Sequence, residues 1–186
     1  TNVPVHSWIE YGTDRNLGQR KELIVDGQII CNNTHHKIRL TDLKPGTTYY
    51  YRVCSQEILL YEAYKKEFGN TAYSEIYSFT VPSADKTDFT AVIFNDLHKQ
   101  KAVYDKLTEQ IKNVPFDFVI FNGDCIDDPK NESQVVDILA YLNDGIHAQD
   151  VPAFYLRGNH EIRNAYSIQL KSIFDYVGGK TYGAFT

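Results

Sequence analysis

The chain has 186 residues, 42% of them hydrophobic and 23% charged, with a formal net charge of −5 and a sequence pI of about 5.6. That is an ordinary globular composition with room for one large domain or two small ones; it argues against a nucleic-acid-binding surface, and no apolar run is long enough to span a bilayer. Cys31, Cys54 and Cys125 are odd in number and show no C-x-x-C spacing, so they indicate neither a zinc knuckle nor a complete disulfide framework. The chain contains no methionine and no signal-peptide pattern at Thr1, which reads as a processed or trimmed chain.

Residues 3–82 show short alternating or aromatic-rich runs between turn clusters, which is all-β behaviour. Strands are expected at residues 5–11, 23–25, 36–40, 49–53 and 75–81. Leu43-Lys44-Pro45-Gly46 leads into Thr47-Thr48-Tyr49-Tyr50-Tyr51-Arg52-Val53 and resembles the corner of fibronectin type III domains where a tyrosine hydrogen-bonds back across the turn. Tyr49 is the candidate for that bond. Tyr49, Tyr51 and Val53 share one face of the strand by its two-residue period. Trp8 is expected in the core, with carbohydrate stacking as the lesser alternative. Residues 55–73 break the rhythm with Ile58, Leu59, Leu60, Tyr61 and Phe68, and are expected to form a hairpin insertion with some helical turn. Residues 83–88 read as a polar linker.

Beyond the linker the period changes. Residues 89–94 form an apolar strand, and residues 99–114 carry Val103, Leu107, Ile111 and Val114 at helical spacing. Phe118, Val119, Ile120 and Phe121 make a second buried strand, stopped by Asn122-Gly123. A helix over residues 133–143, a strand over 151–156 and a helix over 165–177 complete a βαβαβα rhythm, which implies a parallel sheet with right-handed crossovers. Residues 181–186 look like the start of another strand. Gly178-Gly179-Lys180-Thr181 ends like a phosphate-binding loop, but Phe174 stands where the first glycine should be, which rules that motif out.

All three strands end in polar clusters. The first gives Asp96-Leu97-His98, a carboxylate and an imidazole two residues apart, which an extended segment would point the same way. The second gives Gly123-Asp124, followed by Asp127 and Asp128, with no basic residue before Lys130. The third gives Arg157-Gly158-Asn159-His160-Glu161, whose glycine permits a sharp turn. Carboxylates at the end of a buried strand are costly unless a cation meets them, and ligands of open α/β sheets bind at those carboxyl ends. A metal ion is therefore the economical reading, against the plainer one of a solvated Asp-rich turn. Arg157 suits a phosphate oxygen or a salt bridge bracing its turn, and Glu161 a supporting role.

Asp96-x-His98, Gly123-Asp124 and Gly158-Asn159-His160-Glu161, in this order on successive β-α units, resemble the calcineurin-like metallophosphoesterases. The fibronectin-like half in front looks like the arrangement of purple acid phosphatases and related secreted phosphoesterases. The resemblance implies an α+β multidomain chain: a fibronectin type III-like β-sandwich over residues 1–82, a linker over 83–88, and the first, βαβαβα half of a metallophosphoesterase α/β sandwich over 89–186. It implies two metal ions, with Asp96 and His98 on the first, Asp124 bridging both and the Asn159 amide oxygen on the second. His160 would be the general acid, oriented by Asp127, and Arg157 a weaker phosphate contact. The implied reaction is in-line attack of a metal-bound hydroxide on a phosphate ester, in an extracytoplasmic protein, periplasmic or secreted.

Imidazole, amide and carboxylate donors suit Mn²⁺, Zn²⁺ or iron better than Mg²⁺. Two departures refine the resemblance. Purple acid phosphatases lack the histidine of the first motif and carry a tyrosine where this chain has Asp127, so a general metallophosphoesterase is the better match. Ser/Thr protein phosphatases carry Arg-Gly where this chain has Asp128-Pro129. No histidine follows His160, although the family takes further metal ligands from later histidines; the expectation is a native protein that continues past Thr186, and an isolated chain that binds metal weakly and exposes an apolar sheet face. Two non-hydrolase readings compete: a binding or scaffolding protein with a degenerate phosphoesterase half, and a receiver-like Mg²⁺ domain, in which His98 and Asn159-His160 would have no task.

Overall fold

The computed structural model describes residues 1–174, 176 and 180. The chain forms two compact units, Thr1–Lys86 and Thr87–Thr186.

The first unit is all-β: β1 (Val5–Gly12), β2 (Gln19–Lys21), β3 (Ile24–Val25), β4 (Gln28–Ile29), β5 (Thr48–Tyr61), β6 (Lys66–Tyr73) and β7 (Tyr77–Thr80). The main sheet runs β2-β1-β5-β6 with β7 also paired to β5, and β3 and β4 form a separate hairpin. Trp8 lies opposite Cys54 in the β1–β5 ladder, and both are buried. Trp8 is only 5% exposed and the Arg20 guanidinium lies over its ring, 4.0 Å from the centroid, so it has no open face for a sugar. Tyr49 stacks on Phe79, and its hydroxyl accepts the Lys44 N–H at 3.1 Å, closing the expected tyrosine corner. Tyr49, Tyr51 and Val53 share a face, but burial fades along it until Val53 is 41% exposed.

Two expectations need correction here. Residues 36–40 join no strand ladder, although His36, Ile38 and Leu40 are half-buried and Lys37 and Arg39 exposed. The alternation is real, but it reports an extended segment laid along the unit rather than a paired strand. Residues 55–73 contain no helical turn: β5 simply runs on to Tyr61 and returns as β6 through a four-residue connection closed by the Glu62 N–H to the Lys65 carbonyl.

The second unit follows βαβαβ order: β8 (Ala91–Phe94), α1 (Lys101–Ile111), β9 (Phe118–Asn122), α2 (Glu132–Gly145) and β10 (Ala153–Leu156). The three strands are parallel in the order β10-β9-β8. Right-handed crossovers between sequential neighbours put both helices on one face. There Phe94, Phe121 and Tyr155 stack at 5.5 and 4.6 Å beneath Tyr104 of α1 and Val135, Leu139 and Leu142 of α2. The Tyr104 hydroxyl donates to the Leu142 carbonyl and ties the helices together. Helix α2 starts where the Asn131 side chain accepts the Gln134 N–H, a capping bond. On the opposite side of the sheet Ile93 and Leu156 are 55% and 41% exposed.

The helix expected over residues 165–177 is shorter and mixed: a 3-10 turn over Ala165–Gln169 leads into α3 (Leu170–Ile173). Residues 175, 177–179 and 181–186, including most of the rejected glycine loop and the expected final strand, lie outside the described residues.

Candidate metal and phosphate site

Three loops leave the carboxyl ends of three adjacent parallel strands, and backbone and side-chain bonds lock them together. The Asn122 amide donates to the Asn95 side chain at 2.7 Å, and the His98 N–H donates to the Asp124 carbonyl at 2.9 Å. Asp96, His98 and Asp124 all have φ near +50°, a left-handed conformation that non-glycine residues keep only where the surroundings impose it. The Asp96–His98 segment is therefore a tight loop rather than the extended piece expected. Even so, it leaves Asp96 Oδ1 3.8 Å from His98 Nε2.

Glycines set how closely the loops approach. Gly123 has φ +84°, and a Cβ there would come within 2.8 Å of the Gly158 backbone. A Cβ on Gly158 would in turn overlap the Asp124 carboxylate, so Gly158 provides clearance rather than a special turn. Glu161 then clamps the pair. Fully buried, its carboxylate accepts the N–H groups of Asp124, Cys125, Ile126 and Gly158 at 2.7–2.9 Å.

The side chains converge on one point. One ligand atom each from His98, Asp124 and His160 lies within 4.8 Å of the others, and the two imidazole rings are 4.5 Å apart. His98 Nδ1 is taken by Asp127 Oδ1 at 2.6 Å, which leaves Nε2 as its free ring atom. Asp127 also meets Lys99 at 3.0 Å. Burial would raise the Asp127 carboxyl, but its hydrogen bonds from Lys99 and His98 outweigh that and hold its pKa below the ordinary value. Asp127 lies farther from His160: its carboxylate is 3.9 Å from Nδ1, whereas its backbone carbonyl is 3.1 Å away. The His160 N–H donates to Asp124 Oδ1 at 2.9 Å. Cys125 offers no thiolate, since burial first, then the Glu161 and Asp124 charges, push its thiol up to about 12.

Asn159 tests whether these residues fit a metal. Its carboxamide lies between Asp124 and Arg163, donating from nitrogen to Asp124 Oδ2 at 3.0 Å and accepting at oxygen from Arg163 Nη2 at 3.1 Å. Turned the other way, the amide would offer its oxygen beside Asp124, as a cation shared with that carboxylate requires. With the His98 imidazole and the Asp96 carboxylate alongside, the donor set fits a transition-metal centre.

Asp96, His98, Asp124, Asp127, Asn159 and His160 are thus brought together. Arg157 turns elsewhere, its guanidinium 5.9 Å from the Tyr176 ring. In its place stands Arg163, which sequence reasoning missed: Nη1 lies 2.9 Å from His160 Nδ1. Its position three residues past His160 carries no signal of its own; only the direction of the guanidinium marks it.

Carboxylates, imidazoles and an amide gathered at the strand ends of a parallel sheet define an α/β domain with a candidate metal site. The chain belongs to the calcineurin-like phosphoesterase family, whose model matches residues 89–185. Residues 2–81 match the purple acid phosphatase N-terminal domain. Among solved structures, a purple acid phosphatase isolated from yellow lupin (Lupinus luteus) seeds superposes with a TM-score of 0.58 at 19% identity, over 85% of this chain and 31% of that one. A structure of PhoD gives a TM-score of 0.49 at 13% identity, over 88% of this chain and 34% of that one. The chain therefore spans about a third of the length of these solved relatives. No curated protein sequence matches it.

Proposed function

We propose that the protein is a dinuclear metal-dependent phosphoester hydrolase. The observation that carries this reading is the convergence of His98, Asp124 and His160 within 4.8 Å, with the Asn159 amide 3.0 Å from Asp124 beside them. Asp96 and His98 Nε2 would hold one ion, the Asn159 amide oxygen the other, and Asp124 both. Two such ions polarise a phosphoester and activate a water for in-line displacement. Asp127 fixes the His98 ring through Nδ1, so that Nε2 faces the ligand position. His160 is the general acid for the leaving group, with Asp127 orienting it through the carbonyl at 3.1 Å and the carboxylate at 3.9 Å.

Mn²⁺, Zn²⁺ or iron suit the donors better than Mg²⁺. With Asp127 at the tyrosine position, an iron-loaded sample should lack an intense visible charge-transfer band. The match of residues 2–81 supports a division into a fibronectin-like domain over 1–82, a linker over 83–88 and a catalytic domain over 89–186, in an extracytoplasmic protein.

The test is hydrolysis of a phosphate monoester and a phosphate diester by the natural protein loaded with Mn²⁺ or Zn²⁺. Metal-dependent turnover is expected, and His160→Ala should lower it by roughly 10²–10⁴-fold with metal content retained. Full metal occupancy without turnover on either ester would favour the alternative, a non-enzymatic binding or scaffolding protein with a degenerate phosphoesterase domain.

A further inference from the structure

Arg163 sits in the turn after the third strand-end motif, its backbone N–H bonded to the His160 carbonyl at 3.1 Å. Its guanidinium faces two residues of the site, His160 through Nη1 at 2.9 Å and Asn159 through Nη2 at 3.1 Å. Both are neutral acceptors at best. The nearby lysines differ: Lys99 is paired with Asp127 and Lys130 with Asp128. Among the described residues, Arg163 meets no carboxylate. A guanidinium stays charged at any ordinary pH, and one without an acidic partner at the mouth of a cluster of ligands is a binding group for an anion.

Its contact with His160 is also one that can be given up. Arginine only donates, so this contact needs Nδ1 without a proton; the Asp127 carbonyl 3.1 Å from the same nitrogen only accepts, so that contact needs Nδ1–H. The two cannot form together. When Arg163 leaves, His160 keeps a hydrogen bond through Nδ1–H to the Asp127 carbonyl.

Resting on the hydrolase reading above, we infer that Arg163 is the phosphate-binding side chain of this site: its guanidinium leaves His160 and Asn159 to hold a non-bridging phosphoryl oxygen of the substrate, the role that motif position alone would give to Arg157. Arg163 is held to the site through its own turn, so the guanidinium reaches the anion without a change of fold. Charge-assisted bonds of this kind are among the stronger polar contacts.

The experiment measures binding of inorganic phosphate to the metal-loaded natural protein by titration calorimetry, and its competition with a phosphate monoester, for wild type, Arg163→Gln and Arg163→Lys. Arg163→Gln should weaken phosphate about tenfold to a hundredfold. Arg163→Lys should recover part of the loss, and both variants should keep the wild-type metal content and melting temperature. Unchanged phosphate affinity in Arg163→Gln would overturn the assignment while leaving the hydrolase reading intact. Loss of metal from that variant would also overturn it, because Arg163 would then be a brace for Asn159. A wild-type protein that takes up no divalent ion would overturn the hydrolase reading itself and this inference with it.

Discussion

Glu161 does for the loops around the site what a ladder does for strands inside a sheet. One buried carboxylate collects four backbone N–H groups, three from the loop after β9 and one from the loop after β10, and so fixes the backbone that carries Asp124. Glu161→Gln keeps the shape but replaces one acceptor oxygen with an NH₂ group, which leaves two of those N–H groups facing a donor. At about 1–3 kcal/mol for each buried unsatisfied donor, the substitution should cost roughly 2–6 kcal/mol of folding stability. It should also weaken metal binding in the molecules that remain folded. Denaturant unfolding alongside metal titration reads both effects, and wild-type values in both would show that the clamp is dispensable.

At the scale of elements, the site exists because loops from adjacent strands approach to contact. Gly158→Ala should be poorly tolerated, since its methyl would overlap the Asp124 carboxylate and crowd the Asp124 backbone nitrogen, which cannot swing away as a flexible side chain could. An overpacking cost of about 1–3 kcal/mol and at least a tenfold loss of metal affinity are expected. Near-native metal affinity in this variant, read by calorimetry, would mean that the two loops have more freedom than their geometry implies. The three strand ends were legible in the sequence because buried parallel strands are short continuous apolar runs and their termini announce themselves through abrupt polarity. The β5–β6 hairpin was legible too, but a helical turn was wrongly expected in it, for a local reason. Register shifts between Gln56 and Ile58 and again between Ile58 and Leu60 break the two-residue period, so Ile58-Leu59-Leu60 reads as helical. Residues 36–40 erred the other way, since alternating burial needs only an extended backbone and does not require a partner strand. The supporting role expected of Glu161 holds, but its partners left no trace in the sequence, because they are backbone groups. Arg157 and Arg163 could not be ranked by distance along the chain, only by which way each guanidinium turns.

The whole molecule is an all-β unit and a parallel α/β unit, with every proposed ligand on the second. On the proposed reading, Asp124 at the end of the middle strand would be shared by two ions, whereas Asp96 and His98 on one side and Asn159 on the other would each serve one. The position fits: β9 lies between β8 and β10, and Asp124 touches both neighbouring loops, through the His98 N–H at its carbonyl and the His160 N–H at its carboxylate. The most direct measurement is metal stoichiometry of the natural protein after equilibration with Zn²⁺ or Mn²⁺, by elemental analysis, for wild type, Asn159→Ala and Asp124→Asn. Two ions per chain are predicted for wild type, loss of mainly one for Asn159→Ala, and reduced occupancy of both for Asp124→Asn. Retention of both ions by the folded Asp124→Asn protein would contradict the shared-ligand account.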